Sequence, residues 1–186
     1  VLGADRVQEA ETMSENDLEY LATFAANMAA ALEKSRLDAE VTGSYIAAVS
    51  ALVRAIEEKD TYTRGHSERV AEISSWIGHE LGLPESEISY LRIGAMLHDV
   101  GKIGISEAIV RSRKGLNGAE RKIIETHPVK GVEILKPIRF LKDYLYLVRH
   151  HHERYDGKGY PDGLKGDEIA LGAQIISVAD AYDAMT

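Results

Sequence analysis

The sequence contains no cysteine, which excludes disulfides, thiolate-bound metals and cysteine nucleophiles together. No apolar run approaches the ~20 residues of a membrane-spanning helix, and no secretory signal pattern is present. Positive charge is also scarce, with 22 Lys and Arg against 30 Asp and Glu and a formal net charge of −8. Polyanions reward clustered Lys and Arg, so a nucleic-acid polymer or an anionic membrane is not the expected partner. These absences lead to the expectation of a cytoplasmic protein in a reducing compartment. With 186 residues, 45% of them hydrophobic and 28% charged, the chain can bury the core of one domain, alone or with a helical appendage. Against these absences stand seven histidines.

Residues 1–4 (VLGA) read as the tail of a strand entered halfway, since the chain opens on Val1 and not Met. Ser14 followed by Asp17 is a capping-box spacing that starts a helix. Leu18, Leu21, Ala25, Met28 and Leu32 then alternate three- and four-residue steps, forming one apolar seam. That seam fits a surface helix of one domain or a dimer interface equally well. A second seam, Ile46, Val49, Leu52, Val53 and Ile56, follows a weak break at Thr42-Gly43, where two helical segments are expected to join.

Beyond residue 60 the periodicity is almost wholly helical. Val70, Ile73, Ile77 and Leu81 predict a helix ending at Gly82, and Pro84 opens another that leads through Leu91 and Leu97 to His98. Asn117 with Glu120 is a further capping box, starting a helix towards His127 that Pro128 interrupts. Residues 140–151 read as helical, and residues 156–168, with four Gly and one Pro, as a loop. A last helix is expected from Ile175 to Thr186. No alternating strand pattern appears, so the expected class is all-α.

The histidines sort by their neighbours. His79, beside Glu80 in mid-helix, reads as an ordinary surface residue, and His66 alone would read the same way. His98-Asp99 ends an apolar helix, where an unpartnered pair would cost several kcal/mol. The tract His150-His151-His152 has no evident structural use, and Asp180 is a carboxylate in an apolar run, costly unless it meets a cation. His66, His98, Asp99, His127, His151, His152 and Asp180 are therefore candidate metal ligands. Five imidazoles and two carboxylates suit Mn, Fe, Zn, Ni or Co. They also exceed one tetrahedral ion, so two metals sharing Asp99 are expected, an arrangement suited to displacement at phosphorus. Lys102, four residues past His98, can stabilise charge on a phosphoryl oxygen. Asp183 shares a helical face with Asp180 and can orient a ligand.

HDVGK at 98–102, HHERYDGKGYP at 151–161 and DAYDAMT at 180–186 resemble the HD-GYP family of cyclic di-GMP phosphodiesterases, as do DTYTRGHSERV at 60–70 and THPVKGVEIL at 126–135. The resemblance covers roughly Gly43 to Thr186, and implies an HD-domain helical bundle over residues 44–186 behind a helical connector at 37–60. It implies that His66, His98, Asp99 and Asp180 are the shared metal ligands and that His127, His151 and His152 add those of a second metal. Iron is the favoured ion, with manganese or another transition metal as alternatives. Lys102 matches a lysine of phosphate binding and catalysis, and Asp99 and Lys102 form the catalytic pair. Gly159, Tyr160 and Pro161 match the loop bordering the substrate, and Asp183 falls beside it.

The implied reaction is hydrolysis of cyclic di-GMP to pGpG and on to GMP in some members, as part of bacterial signalling. Tyr62 stands where a carboxylate would serve a third ion, which favours two. Ala170 replaces a usual proline, and the basic residues that grip phosphates in the family would fall beyond Thr186, so a C-terminally truncated domain is expected. Residues 1–36 resemble the end of a GAF sensor domain, with a connector helix that dimerises. Two other readings remain: a catalytically weak receptor for cyclic di-GMP or a protein partner, and an HD phosphohydrolase acting on another nucleotide.

Overall fold

Ser14 opens the first helix in the computed structural model, which describes residues 14–57, 65–110 and 115–186. The Ser14 and Asp17 side chains cap each other's backbone N–H groups at 3.2 and 2.9 Å, the reciprocal arrangement their spacing predicts. Helix α1 then runs unbroken from Glu15 to Glu57. The expected joint at Thr42-Gly43 is absent. A mid-helix Gly costs about 1 kcal/mol relative to Ala, which a helix this long absorbs. The two seams are also in phase, because Leu32 to Ile46 is 14 residues (46 − 32), or two heptads.

The chain divides into two compact units, Val1–Ser44 and Tyr45–Thr186. In the first, the seam residues Leu18, Leu21, Met28 and Leu32 are exposed. In the second, Val53 of α1 is buried beside Leu97, Val100, Leu135, Leu141 and Val148, and Tyr45 stacks on Phe140 with ring centroids 5.2 Å apart. The expected strand tail at residues 1–4 and the Tyr62 position lie outside the described residues.

The second unit is a bundle. Helix α2 spans His66–Glu80, α3 Glu85–Leu97, α4 Glu107–Val110, α5 Gly118–Ile124, α6 His127–Leu135, α7 Leu145–His150 and α8 Leu171–Met185. Short 3-10 segments occupy Val100–Gly104, Arg139–Tyr144 and Gly166–Glu168. Among the described residues there is no strand. The fold is all-α. No helix is long and apolar enough to cross a membrane among the described residues.

Local chemistry accounts for most boundaries. Asn117 and Glu120 cap α5 reciprocally. Pro128 does not interrupt a helix but opens one, sitting in the first turn of α6 where an N–H has no helical partner to lose. The stretch read as one helix over 140–151 is a 3-10 segment followed by the short α7. Helix α8 starts at Leu171, four residues earlier than expected, with Ala170 as its N-cap. One core joins α2, α3, α7 and α8 through Val70, Ala95, Leu147, Ala173, Ile176 and Ala179. Burying such side chains contributes about 1.5–3 kcal/mol each for the larger ones, and it fixes the helix ends on which the histidines sit.

Candidate metal centre

His66 is the first residue of α2, His98 caps the end of α3, His127 begins α6, and His151 and His152 follow the end of α7. Five imidazoles thus come from helix termini, and Asp180 projects from the middle of α8. Close backbone approach brings the termini together. A Cβ on Gly101 would clash with the His127 carbonyl and lie 2.5 Å from Gly131 N, so only glycine lets the His98-Asp99 turn abut α6. Gly65 supplies another such turn, with φ 71° immediately before His66.

All seven candidate ligands converge, and they fall into two groups. His66, His98 and Asp180 form one, and Asp99, His127, His151 and His152 the other, with the donor atoms of each group within 4.8 Å of one another. Asp99 faces both. Its Oδ1 lies 3.2 Å from His127 Nε2, while Oδ2 lies 3.3 Å from His98 Nε2 and 3.9 Å from His66 Nε2. Asp180 Oδ1 is 3.1 Å from His66 Nε2 and its Oδ2 is 4.0 Å from His152 Nδ1. His98, His127 and His151 are fully buried.

The ring orientations identify which nitrogens face the centre. Nδ1 of His98, His127 and His151 points at the carbonyls of Ala95, Ile124 and Val148, at 2.5, 2.8 and 2.8 Å. A carbonyl can only accept, so Nδ1 carries the hydrogen and a neutral ring leaves its Nε2 lone pair pointing inward. His127 Nε2 and His151 Nε2 are 3.1 Å apart, two lone pairs facing each other. His98 Nε2 and Asp99 Oδ1 are buried and make no aligned hydrogen bond. Converging lone pairs and orphaned buried acceptors are costly without a cation. The residues fit divalent transition-metal ions.

The electrostatics divide along similar lines. Burial opposes charge on Asp99, yet the Lys102 ammonium 2.5 Å away and His98 hold its carboxyl well below the usual range. Burial also opposes charge on His66, but Asp180 and Asp183 raise it to about 8. His98 is raised against its burial by Asp99. Asp180 is lowered against its burial by His66 and His98. His151 goes the other way: burial, reinforced by His152, His98 and His127, pushes it well below the ordinary imidazole value. Burial and His127 bring His152 down to about 4. Imidazoles that repel protons, as His151 and His152 do, still accept a metal through their lone pairs.

The glycine-rich segment lies against one edge of the cluster. The Tyr160 ring is centred 4.9 Å from that of His152 and 6.5 Å from that of His127. Burial, with Asp99 and Glu125 nearby, raises the Tyr160 phenol and keeps it protonated. The Tyr160-Pro161 peptide is cis. Gly159 runs so close to the histidine tract that a Cβ there would lie 2.6 Å from the His152 carbonyl oxygen. His150 belongs to neither donor group and meets Asp162 at 2.8 Å. His79 is exposed. Asp183 meets His66 Nδ1 at 2.7 Å and accepts from Arg69 at 2.6 and 2.9 Å.

The model of the HD domain family matches residues 50–186, well over half of the chain. The chain belongs to the HD domain family. Among curated relatives, the cyclic di-GMP phosphodiesterase response regulator RpfG of Xanthomonas campestris is 40% identical over 74% of this chain and 37% of its own length. The 3'3'-cGAMP-specific phosphodiesterase 3 of Vibrio cholerae is 38% identical over 74% of this chain and 30% of its own. The chain thus spans about a third of the length of these relatives. The HD domain of the L. monocytogenes phosphodiesterase PgpH shares the fold, with a TM-score of 0.55 and 22% identity over 72% of each chain.

Three residues important to this HD domain's site were not among the expected site residues, although Arg69 and Glu153 lie inside the motifs at 60–70 and 151–161. Glu57, at the end of α1, is buried and accepts the N–H groups of Gly65 at 3.0 Å and Ser67 at 2.9 Å, clamping the backbone on both sides of His66. Nothing in the sequence separates it from Glu58. Arg69 is a surface-type residue one turn into α2 that braces Asp183. Glu153 sits in the histidine tract, and its three backbone partners are 9 to 11 residues downstream.

Proposed function

We propose that this HD domain hydrolyses a cyclic dinucleotide, cyclic di-GMP, at a two-metal centre, giving pGpG and in a further step GMP. The observation that carries the reading is the pair of adjoining donor groups joined by Asp99, with Tyr160 against one of them. The names of the relatives support the substrate class. His66, His98 and Asp180 would hold one ion, and His127, His151 and His152 the other, with Asp99 shared. Iron is favoured by the family resemblance, with manganese or another transition metal as alternatives, all of which the imidazole and carboxylate donors suit. Such ions supply Lewis acidity, neutralising phosphodiester charge and acidifying water.

The chain's own residues do the remaining work. Lys102 sits at the rim of the centre, its ammonium against Asp99, and stabilises charge gathering on a phosphoryl oxygen. Asp99, kept ionised beside it, fixes the ammonium's position. Tyr160, half-buried and protonated, presents a phenolic donor and an aromatic face to a base or phosphate, and Gly159 and Pro161 shape the approach to it. Asp183 borders the site through His66, holding that ring's orientation. The exposed seam of Leu18, Leu21, Met28 and Leu32 supports a homodimer through α1. Charged substitutions at Leu21 and Leu32 should give monomers by light scattering, and an unchanged mass counts against the dimer. A GAF-like unit at residues 1–36, a connector at 37–60 and a cytoplasmic location complete the proposal.

The relative named for 3'3'-cGAMP favours a second reading, hydrolysis of another cyclic dinucleotide with the same phosphodiester ring and one different base. A test that separates them incubates full-length, metal-loaded protein with cyclic di-GMP and 3'3'-cGAMP in parallel and identifies products by chromatography. Linear dinucleotide from cyclic di-GMP, abolished by chelator, is the expected result. Turnover of 3'3'-cGAMP alone selects the second reading, and turnover of neither overturns both.

A further inference from the structure

A loop of glycines at a substrate site needs something to hold its shape, because such a sequence has little preference of its own. In this loop the holding group is a buried carboxylate. Glu153 is 3% exposed. Its Oε1 accepts the N–H groups of Asp162 at 2.7 Å and Gly163 at 3.1 Å, and its Oε2 accepts that of Leu164 at 3.0 Å. Three successive amides converging on one anion form a nest, here filled by the chain's own side chain. The other strand of the loop is anchored to the same place: Tyr160 N donates to the His152 carbonyl at 3.3 Å. A Cβ on Gly159 would lie 2.5 Å from Glu153 Cα, so the loop backbone is pressed directly on that residue. From outside, Arg149 and His150 grip Asp162 at 2.6 and 2.8 Å.

Glu153 directly follows His152 in the chain. One backbone segment therefore presents two imidazoles to the centre and, through this carboxylate, fixes the loop that carries Tyr160. We propose that Glu153 is a positioning residue that holds Tyr160 beside the metal centre and so sets affinity for a cyclic dinucleotide, without touching the metals or the substrate. The proposal rests on the cyclic-dinucleotide reading above. Its physical basis is the charge. In Glu153→Gln one oxygen becomes an amide NH2, which faces a backbone N–H donor with another donor, so a hydrogen bond is lost and a repulsive contact takes its place. In Glu153→Asp the charge remains, but the side chain is one methylene too short to reach all three amides.

The test uses metal-loaded, full-length protein. Glu153→Gln should raise KM for cyclic di-GMP about tenfold, as expected for loss of a hydrogen bond to a charged group, with kcat reduced less. Hydrolysis of bis(p-nitrophenyl) phosphate, a small diester with no call on the loop, and metal content should stay within about twofold. Glu153→Asp should lie between wild type and Glu153→Gln, and it replaces that variant if the latter does not fold. The double variant with Tyr160→Ala should be no worse than Tyr160→Ala alone, since the two residues act as one. Hydrogen exchange should speed up at residues 159–164 and not in α6. Additive losses, equal losses on both substrates with metal release, or unchanged kinetics and exchange would each overturn the proposal. If wild type hydrolyses neither cyclic dinucleotide, the enzymatic reading fails, and the exchange comparison still decides whether Glu153 fixes the loop.

Discussion

The His66 ring is oriented by a distant part of the chain, whereas the His127 and His151 rings are oriented by local turns. His127 and His151 each direct Nδ1 to the carbonyl three residues earlier, so the helix that carries the ring also orients it. His66 relies on a carboxylate 117 residues away, Asp183, which is braced in turn by Arg69. Its backbone is clamped by Glu57 from the end of α1. Burial opposes charge on His66, but Asp180 in front of it and Asp183 behind it raise it to about 8, while burial and His127 bring His152 down to about 4. The His151–His152 side of the centre is therefore proton-poor, and the His66 side is more basic and held by Glu57, Arg69 and Asp183.

That contrast can be sharpened experimentally. The largest effect should come from the residue that serves both halves through Asp99. Lys102→Ala should lower turnover by about 10²-fold or more with metal content unchanged, whereas loss of metal would make Lys102 a support for Asp99 instead. Next in size, Asp183→Asn should weaken one of two metal sites by about 10- to 100-fold and leave the other as in wild type, read by chelator competition. Equal weakening of both would erase the distinction between the halves.

The smallest effect concerns the loop beside the imidazole-rich half. Arg149, and to a lesser degree His150, hold Asp162 down to about 2. A carboxyl depressed in the folded state stabilises it above the unfolded value of about 3.9, and that stability is lost as pH falls towards 2. Asp162 is about a third exposed, so solvent screening reduces its contribution to a few tenths of a kcal/mol. Asp162→Asn should thus melt slightly below wild type at pH 5 and match it near pH 2. A gap that widens in acid would reverse the sign.

How much of this was readable beforehand follows the range of each interaction. The capping pairs Ser14/Asp17 and Asn117/Glu120 act over three residues and stand as their spacing predicts. His98, Asp99 and Asp180 were legible because ionisable groups in apolar surroundings demand partners, whereas His66 stood out only through the family resemblance. Gly43 and Pro128 misled for opposite reasons. A lone glycine lowers helix propensity without setting a boundary, and a proline breaks a helix or begins one depending on a frame that the sequence leaves open. The division of the donors into two groups was available only through the family resemblance, and the work of Glu57 and Glu153 depends on contacts between chain segments. Glu153 lies inside the HHERYDGKGYP string, but that string does not show that its three acceptor bonds go to a turn 9 to 11 residues away.

The central claim is that two metal sites adjoin and share Asp99. Elemental analysis of protein purified without chelator, alongside its Asp99→Asn variant, tests it most directly. Two metal equivalents per chain in the wild type and fewer than one in the variant are the predicted result. One equivalent or none in the wild type, or two retained in the variant, would contradict it.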